Sequence, residues 1–204
     1  MRTLCLLLLG GATAFSQPIS AGIKAGVPFT DFTNAVQSGG FNFTSSTQPY
    51  IVGPMIQLRL PFGLGVEFDA LYRRFHYTGT STISTNVVNA TTTANAWEFP
   101  LVAKYRFHGS LVRPYIEGGV AWDSLQGVSQ TIVSTVNSPL LPTVKQKNTI
   151  AGFVMGAGLD VKILVLHLAP EIRYTRWGAE HFLDPNGGFS SNRNQAEFLV
   201  GFSF

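Results

Sequence analysis

One cysteine, Cys5, is all the sulfhydryl chemistry the sequence offers, and it stands in a segment expected to be removed. Without it the chain has no disulfide, no thiol nucleophile and no cysteine metal site. Charge is also scarce: Asp, Glu, Lys and Arg make up 12% of 204 residues, about half of the roughly 25% usual in soluble domains. No lysine or arginine cluster marks a nucleic-acid surface, and the formal net charge is only +3. Beyond the N-terminus no apolar run approaches the 18 residues or so of a membrane-spanning helix. What is present is glycine (21), phenylalanine (16) and an apolar fraction of 45%. That aromatic content excludes disorder, and the shortage of charged helix formers excludes a coiled coil. The length suits one domain with a sizeable core.

The first residues have the order of a secretion signal: a positive start at Met1-Arg2, an apolar run from Thr3 to Gly11, then small residues Ala12-Thr13-Ala14 before Phe15-Ser16-Gln17-Pro18. The run is too short to span a bilayer as a helix. Cleavage fits after Ala14 or Ser16; the reading adopted is a signal peptide over 1–16 and one domain over 17–204. Cys5 precedes most of the apolar run, which argues against a lipoprotein. The route implied is the Sec translocon.

The rest of the chain alternates with period two, about eight times over. From Asn95 to Phe107, Trp97, Phe99, Leu101, Ala103, Tyr105 and Phe107 share one face, and Glu98, Pro100, Val102, Lys104 and Arg106 the other. The pattern returns over Leu64–Arg73, Arg113–Leu125, Val165–Arg176 and Gln195–Phe204, and more weakly near 19–29, 49–60 and 149–162. A helix would scatter these apolar residues around its axis; a strand gathers them on one face. Long connections near 30–48, 78–94, 125–148 and 178–194 alternate with short ones at Pro61-Phe62-Gly63, His108-Gly109-Ser110 and Lys162-Ile163-Leu164. That is the rhythm of an up-and-down meander with every long loop at one end. Two glycosylation sequons, Asn42-Phe43-Thr44 and Asn89-Ala90-Thr91, read as chance in a bacterial chain.

Charges recur on one face only. The inward set is Lys24, Arg59, Arg73, Lys104, Arg106, Lys162 and Arg173 against Glu67, Asp69, Glu98, Glu117, Asp123, Asp160, Glu171 and Glu197, seven against eight. The opposite face carries Phe68, Tyr72, Trp97, Phe99, Tyr105, Phe107, Trp122, Tyr174, Phe198, Phe202 and Phe204. An eight-stranded interior holds only modest side chains or one small ligand, so this many rings would overfill it. Placed outward against lipid, with rings towards the strand ends as girdles, they fit. The charges then neutralise one another inside, with glycines such as Gly119, Gly152, Gly156 and Gly158 making room. The expected fold is all-β: an eight-stranded antiparallel up-and-down transmembrane β-barrel. Only closed barrels and helices satisfy every backbone polar group in hydrocarbon, and a secretion signal with such a barrel places the protein in a Gram-negative-type outer membrane, in contact with its lipid. Prolines 54, 100, 114 and 170 fall inside strands and call for bulges or strand ends.

These residues resemble the small outer-membrane β-barrel domain family, similar to the OmpA and OmpX barrels, over about 19–204. The last strand, Ala196-Glu197-Phe198-Leu199-Val200-Gly201-Phe202-Ser203-Phe204, carries the resemblance most specifically. So do Trp97 to Phe107 followed by Pro114-Tyr115, and Gly158-Leu159-Asp160 before Pro170-Glu171-Ile172-Arg173-Tyr174. The resemblance implies that Phe198, Val200, Phe202 and Phe204 form the signal read by the barrel-assembly machinery. It implies location and architecture, not an activity. Unlike full-length OmpA proteins, the chain is expected to lack a periplasmic peptidoglycan-binding domain.

No catalytic, cofactor or metal site is expected. His108-Gly109-Ser110 resembles the His-x-Ser of outer-membrane lipid A deacylases, but both termini should be periplasmic, which puts this short turn at the periplasmic rim, away from lipid A. His181 with Glu180 and Asp184 is a polar loop rather than a set of convergent ligands. His76 reads as a rim residue and His167 as a hydrogen-bonding residue of the lumen. The inward charges are read as a structural network, with pairs such as Glu67, Asp69 or Glu117 meeting Arg73, Arg106 or Arg173. The long loops, with Phe29, Phe32, Phe41, Phe43 and Phe189, form the one surface for an extracellular ligand of unknown kind. The resulting function is a structural or surface-interaction barrel, not an enzyme; the alternatives are a narrow passive pore and a lipid-A-modifying enzyme.

Overall fold

The structure, a computed structural model, describes residues 19–30, 33–35, 41–83, 86–134, 145–146, 149–180, 182–183 and 189–204, with side chains over 19–30, 50–74, 95–124, 149–180 and 192–204. The expected signal segment lies outside the described residues.

Eight antiparallel strands close on themselves. They are β1 (Ile19–Pro28), β2 (Phe41–Arg59), β3 (Leu64–Asp69, resuming over Leu71–Ile83), β4 (Asn86–Arg106), β5 (Val112–Ser134), β6 (Thr149–Ile163), β7 (Leu166–Trp177) and β8 (Asn194–Ser203). Each pairs with the next, and β8 returns to β1 in register from Gly22↔Ser203 to Pro28↔Glu197, which closes the barrel. Along each strand burial alternates with period two, as the pleat requires. On β8, for instance, Gln195, Glu197, Leu199, Gly201 and Ser203 are buried while Phe202 and Phe204 are exposed.

The in-strand prolines explain where the ladder is broken. β3 is interrupted at Ala70, whose N–H donates to the Pro54 carbonyl at 3.0 Å. Proline has no N–H to return. Pro54 lies across from Ala70 on β2, and Pro100 lies across from Asp69 on β4, as the registers on either side of the gap require (Met55↔Asp69, Val52↔Tyr72; Phe68↔Leu101, Leu71↔Glu98). The register runs through unchanged, so these are missing rungs rather than bulges. Pro170 acts likewise on β7, where pairing with β6 stops at Leu168↔Val161 and resumes at Glu171↔Gly158.

Two expectations need correction. The segments read as long loops are in large part strand: β2 begins at Phe41, β3 and β4 pair up to Ile83↔Asn86, and β5 runs to Ser134. The Thr-, Ser- and Asn-rich stretch between Thr78 and Ala94 lacks large apolar residues and so looked like loop. Threonine is β-branched, however, and favours a pleated strand wherever a partner strand is available. The remaining pieces, 33–35, 189–191, 182–183 and 145–146, form a separate four-stranded sheet in that order, drawn from three of the long connections. The last short turn is at Leu164-Val165, somewhat later than the Lys162 to Leu164 expected, and Lys162, on the inward parity of Asp160 and across from His167, is exposed at the barrel's end.

That turn holds Leu164 at φ 57°, a left-handed conformation unfavourable for a branched side chain. Leu164→Gly is expected to stabilise the folded barrel by about 1 kcal/mol, read as a higher urea midpoint, and Leu164→Ile to lower that midpoint. Equal midpoints for the two variants would show that the turn carries no strain.

Candidate functional site

The lumen is the candidate site, and three layers of inward side chains fill it. The central layer gathers seven buried charges from five strands. Lys24 on β1 reaches Glu67 at 2.5 Å, Glu171 at 2.9 Å and Asp69 at 3.1 Å. Lys104 on β4 reaches Glu67 at 2.8 Å, Glu117 at 3.1 Å and Glu171 at 3.2 Å. Arg173 on β7 holds Asp69 and Glu171 at 2.9 Å each and Glu117 at 3.0 Å. Tyr115 donates to Glu171 at 2.6 Å, its ring lying 4.5 Å beneath the Lys104 ammonium, and Gln57 donates to Glu67 at 3.0 Å. Every charged member of this layer is almost wholly removed from solvent. Isolated charges could not stand there; each is tolerated because two to four counter-charges satisfy it.

Glu67, Glu117 and Glu171 bring carboxylate oxygens within 4.8 Å of one another, a spacing that could hold a metal ion. The Lys104 ammonium sits among all three, in the place a cation would take. The strand opposite supplies the space. A Cβ on Gly156 would come within 2.7 Å of a Glu117 oxygen, and one on Gly158 within 2.6 Å of the Tyr115 ring.

Towards the long-loop end, Arg73 pairs with Glu98, with Glu197 at 3.0 Å and with Gln195 at 2.8 Å, and Asp123 is buried nearby on β5. Apolar packing closes this region: Trp177, Val154, Ile150, Val102 and Ala121 form one cluster, and Ile51, Leu71 and Leu199 another. Trp177 thus points inward, unlike the other tryptophans, with the same parity as Glu171 and Arg173 on its strand, which was the signal that could have placed it.

Towards the short-turn end, Arg106 pairs with Asp160 at 3.1 Å, His167 meets the other Asp160 oxygen at 2.7 Å, and Arg59 lies 3.3 Å from His167. The pairings therefore differ in part from those expected. Arg173 does meet Asp69 and Glu117, but Arg73 and Arg106 serve Glu98, Glu197 and Asp160 instead. Parity along a strand says which residues face inward, not at what height they meet.

Outside, Ile23, Ile56, Ile116, Phe153, Met155 and Ile172 make an exposed apolar belt, Ile172 at 57% exposure. Rings run across β3 and β4: Tyr72 against Trp97 at 5.3 Å, Trp97 against Phe99 at 6.3 Å, and Phe99 against Phe68 at 6.4 Å. Tyr105 packs edge-on against Phe107 near the short turns. Trp122 lies beside Phe99 in register, and Tyr174 donates to Asn194. Phe68 and Phe99 sit at mid-height beside the central charge layer, so the rings form a ladder as well as the girdles expected. Of the terminal-strand residues, Phe198 and Val200 are half-buried and Phe202 and Phe204 exposed on the same outer face.

His108 faces the barrel mouth and Ser110 is exposed at the turn. Glu180 and Phe29 are described, Phe29 lying 6.4 Å from Phe198. His181, Asp184 and Phe32 lie outside the described residues, as do the side chains of His76, Phe41, Phe43 and Phe189.

A family model described as "Outer membrane protein beta-barrel domain" matches residues 3–204. No curated protein matches in sequence. Among solved structures, the outer membrane protein OprG from Pseudomonas aeruginosa is similar at 15% identity over 91% of this chain and 92% of that one, with a TM-score of 0.60. Neisserial surface protein A (NspA) matches at 13% identity over 91% and 94%, with a TM-score of 0.45. AlkL matches at 15% identity over 96% and 93%, also at 0.45. At such identities the likeness to OprG speaks for the fold alone.

Proposed function

The chain belongs to the outer membrane protein β-barrel domain family and is an integral protein of the bacterial outer membrane, and from that premise we propose that it is a plugged, non-catalytic barrel whose work is to hold its long hairpins at the cell surface. The observation that carries this reading is the central ion network. Seven charges from Lys24, Glu67, Asp69, Lys104, Glu117, Glu171 and Arg173 meet across the lumen at ordinary contact distances. Eight-stranded barrels are filled by side chains in this way rather than left open. Short turns are periplasmic and longer loops extracellular in barrels of this kind, so the extended ends of β2 to β5 and the small four-stranded sheet would face the medium and offer the surface for an extracellular ligand. Residues 1–16 act as a signal peptide on this reading, delivering the chain through the Sec translocon to the barrel-assembly machinery, with Phe198, Val200, Phe202 and Phe204 as the recognised outer face of the final strand.

The test is conductance. Purified protein in planar bilayers is expected to give no resolved single-channel steps, and lipid A from overexpressing cells is expected to be unchanged. Discrete openings would make the protein a narrow pore. Modified lipid A that disappears in His108→Ala or Ser110→Ala would make it an enzyme.

A further inference from the structure

A cavity of about 430 Å³ opens at the short-turn end, between the Pro61–Gly63 turn and the connection after β4. Its inner wall is the last layer of inward side chains: Arg59, Arg106, Arg113, His108, His167 and Asp160. Three guanidinium groups face one carboxylate, and that carboxylate is already committed. One Asp160 oxygen accepts from the Arg106 Nε and the other meets His167 Nδ1. Arg59 contacts the Gln57 side chain at 3.4 Å and the His167 ring at 3.3 Å, with Asp160 as its opposite charge only at longer range. Arg113 donates to the Gly109 carbonyl at 2.9 Å. Neither Arg59, which is half-buried, nor Arg113, which is exposed, has an ion pair among the described residues, unlike the charges of the central layer.

Gly65 packs close beside the Arg106 guanidinium: a Cβ there would come within 2.9 Å of its Nη nitrogen. Two unpaired guanidinium groups and a third held by Asp160 favour a tetrahedral oxyanion, which accepts several N–H donors at once. The outer lip of the same cavity is apolar: Leu60, Leu64 and Phe107 are exposed and Phe62 is 88% exposed. These residues lie on the outward face, the face that meets lipid. Arginines line the inner side of this rim and apolar side chains its outer side, so a phosphate at the mouth would have hydrocarbon just across the lip.

We infer that this vestibule is a binding site for a phosphate group, with the phosphodiester of an anionic phospholipid as the source the apolar lip favours. The inference takes the lipid-facing assignment of the outer surface from the proposed function, but not the plugged lumen or the role of the loops. Its test is made on purified, folded protein in a maltoside detergent, which brings no phosphate of its own. Native mass spectrometry with added phosphatidylglycerol is expected to show one retained lipid. Retention should fall at least tenfold in Arg59→Gln/Arg113→Gln and persist in Arg176→Gln, an exposed arginine at the other end of the barrel. Calorimetry with inorganic phosphate forms the second arm. Binding of phosphate without lipid retention, lost in the same double variant, would keep the site and assign it to a free ion. Failure of both probes to bind the wild type, or equal retention by the double variant, would overturn the inference. A shift on heating in gels shows whether the variants are folded. Should the double variant not fold, Arg113→Gln alone serves, since its side chain is exposed and contacts only a turn carbonyl.

Discussion

Arg173→Met is expected to lower the stability of the barrel by about 3–5 kcal/mol, the range for removing one partner from a buried ion pair. Methionine is close to arginine in length, so little packing is lost. What is lost is, among the described residues, the only guanidinium facing Asp69, Glu117 and Glu171 together, at 2.9–3.0 Å from each. Those carboxylates are buried, so water cannot replace the missing charge. Urea unfolding in lipid vesicles, followed by tryptophan fluorescence, reads the effect. Adding Glu117→Gln to Arg173→Met should recover part of the loss, because it removes one of the stranded negative charges. An unchanged midpoint in Arg173→Met would mean that the cluster is hydrated and the lumen open. Replacing the whole cluster by apolar residues is a different experiment and need not destabilise.

One residue earlier on the same strand, the same side chain is expected to do harm. Ile172→Arg places a guanidinium on the outer face near the middle of β7, where Ile172 is exposed beside Ala157 and Phe198 in the neighbouring strands. At the midplane of the bilayer such a charge costs about 2–4 kcal/mol. The variant should fold poorly in vesicles, with a lower urea midpoint and a smaller heat-modified fraction, while a charge added at exposed Leu111 beside the short turn should cost about 0–1 kcal/mol, the range near the interface. A soluble barrel with its outer face in water would accept Ile172→Arg at no cost, so a neutral result would remove the membrane assignment of this face. The two substitutions test one statement from both sides: arginine is required at 173 and excluded at 172.

Much of this was legible in the sequence because the pleat is local. Successive side chains point to opposite sides whatever the partner strand is, so Trp97 to Phe107 already separated an apolar face from a charged one. The composition of that apolar face told which side met lipid, since eight strands cannot enclose so many rings. The prolines were visible as anomalies but not as an explanation. Only the pairing of Pro54 and Pro100 on either side of the gap in β3 shows that they remove rungs without shifting register. The Thr-rich stretch misled, because it lacks the large apolar residues by which a spanning strand is recognised, and its strand character depends on having β4 and β5 alongside.

Strand count, the inward charges and the lipid-facing rings were thus determined by the sequence alone, through alternation that each strand displays in isolation. Which charge meets which was decided by the tertiary structure. Lys24 finds Glu67 across 43 positions of sequence and Glu171 across 147. Lys104 occupies the centre of a carboxylate triad drawn from three other strands, while Arg59 and Arg113 make no ion pair among the described residues at the mouth. Those outcomes depend on the height at which each strand passes its neighbours, a stagger set by closure of the whole barrel rather than by any one strand.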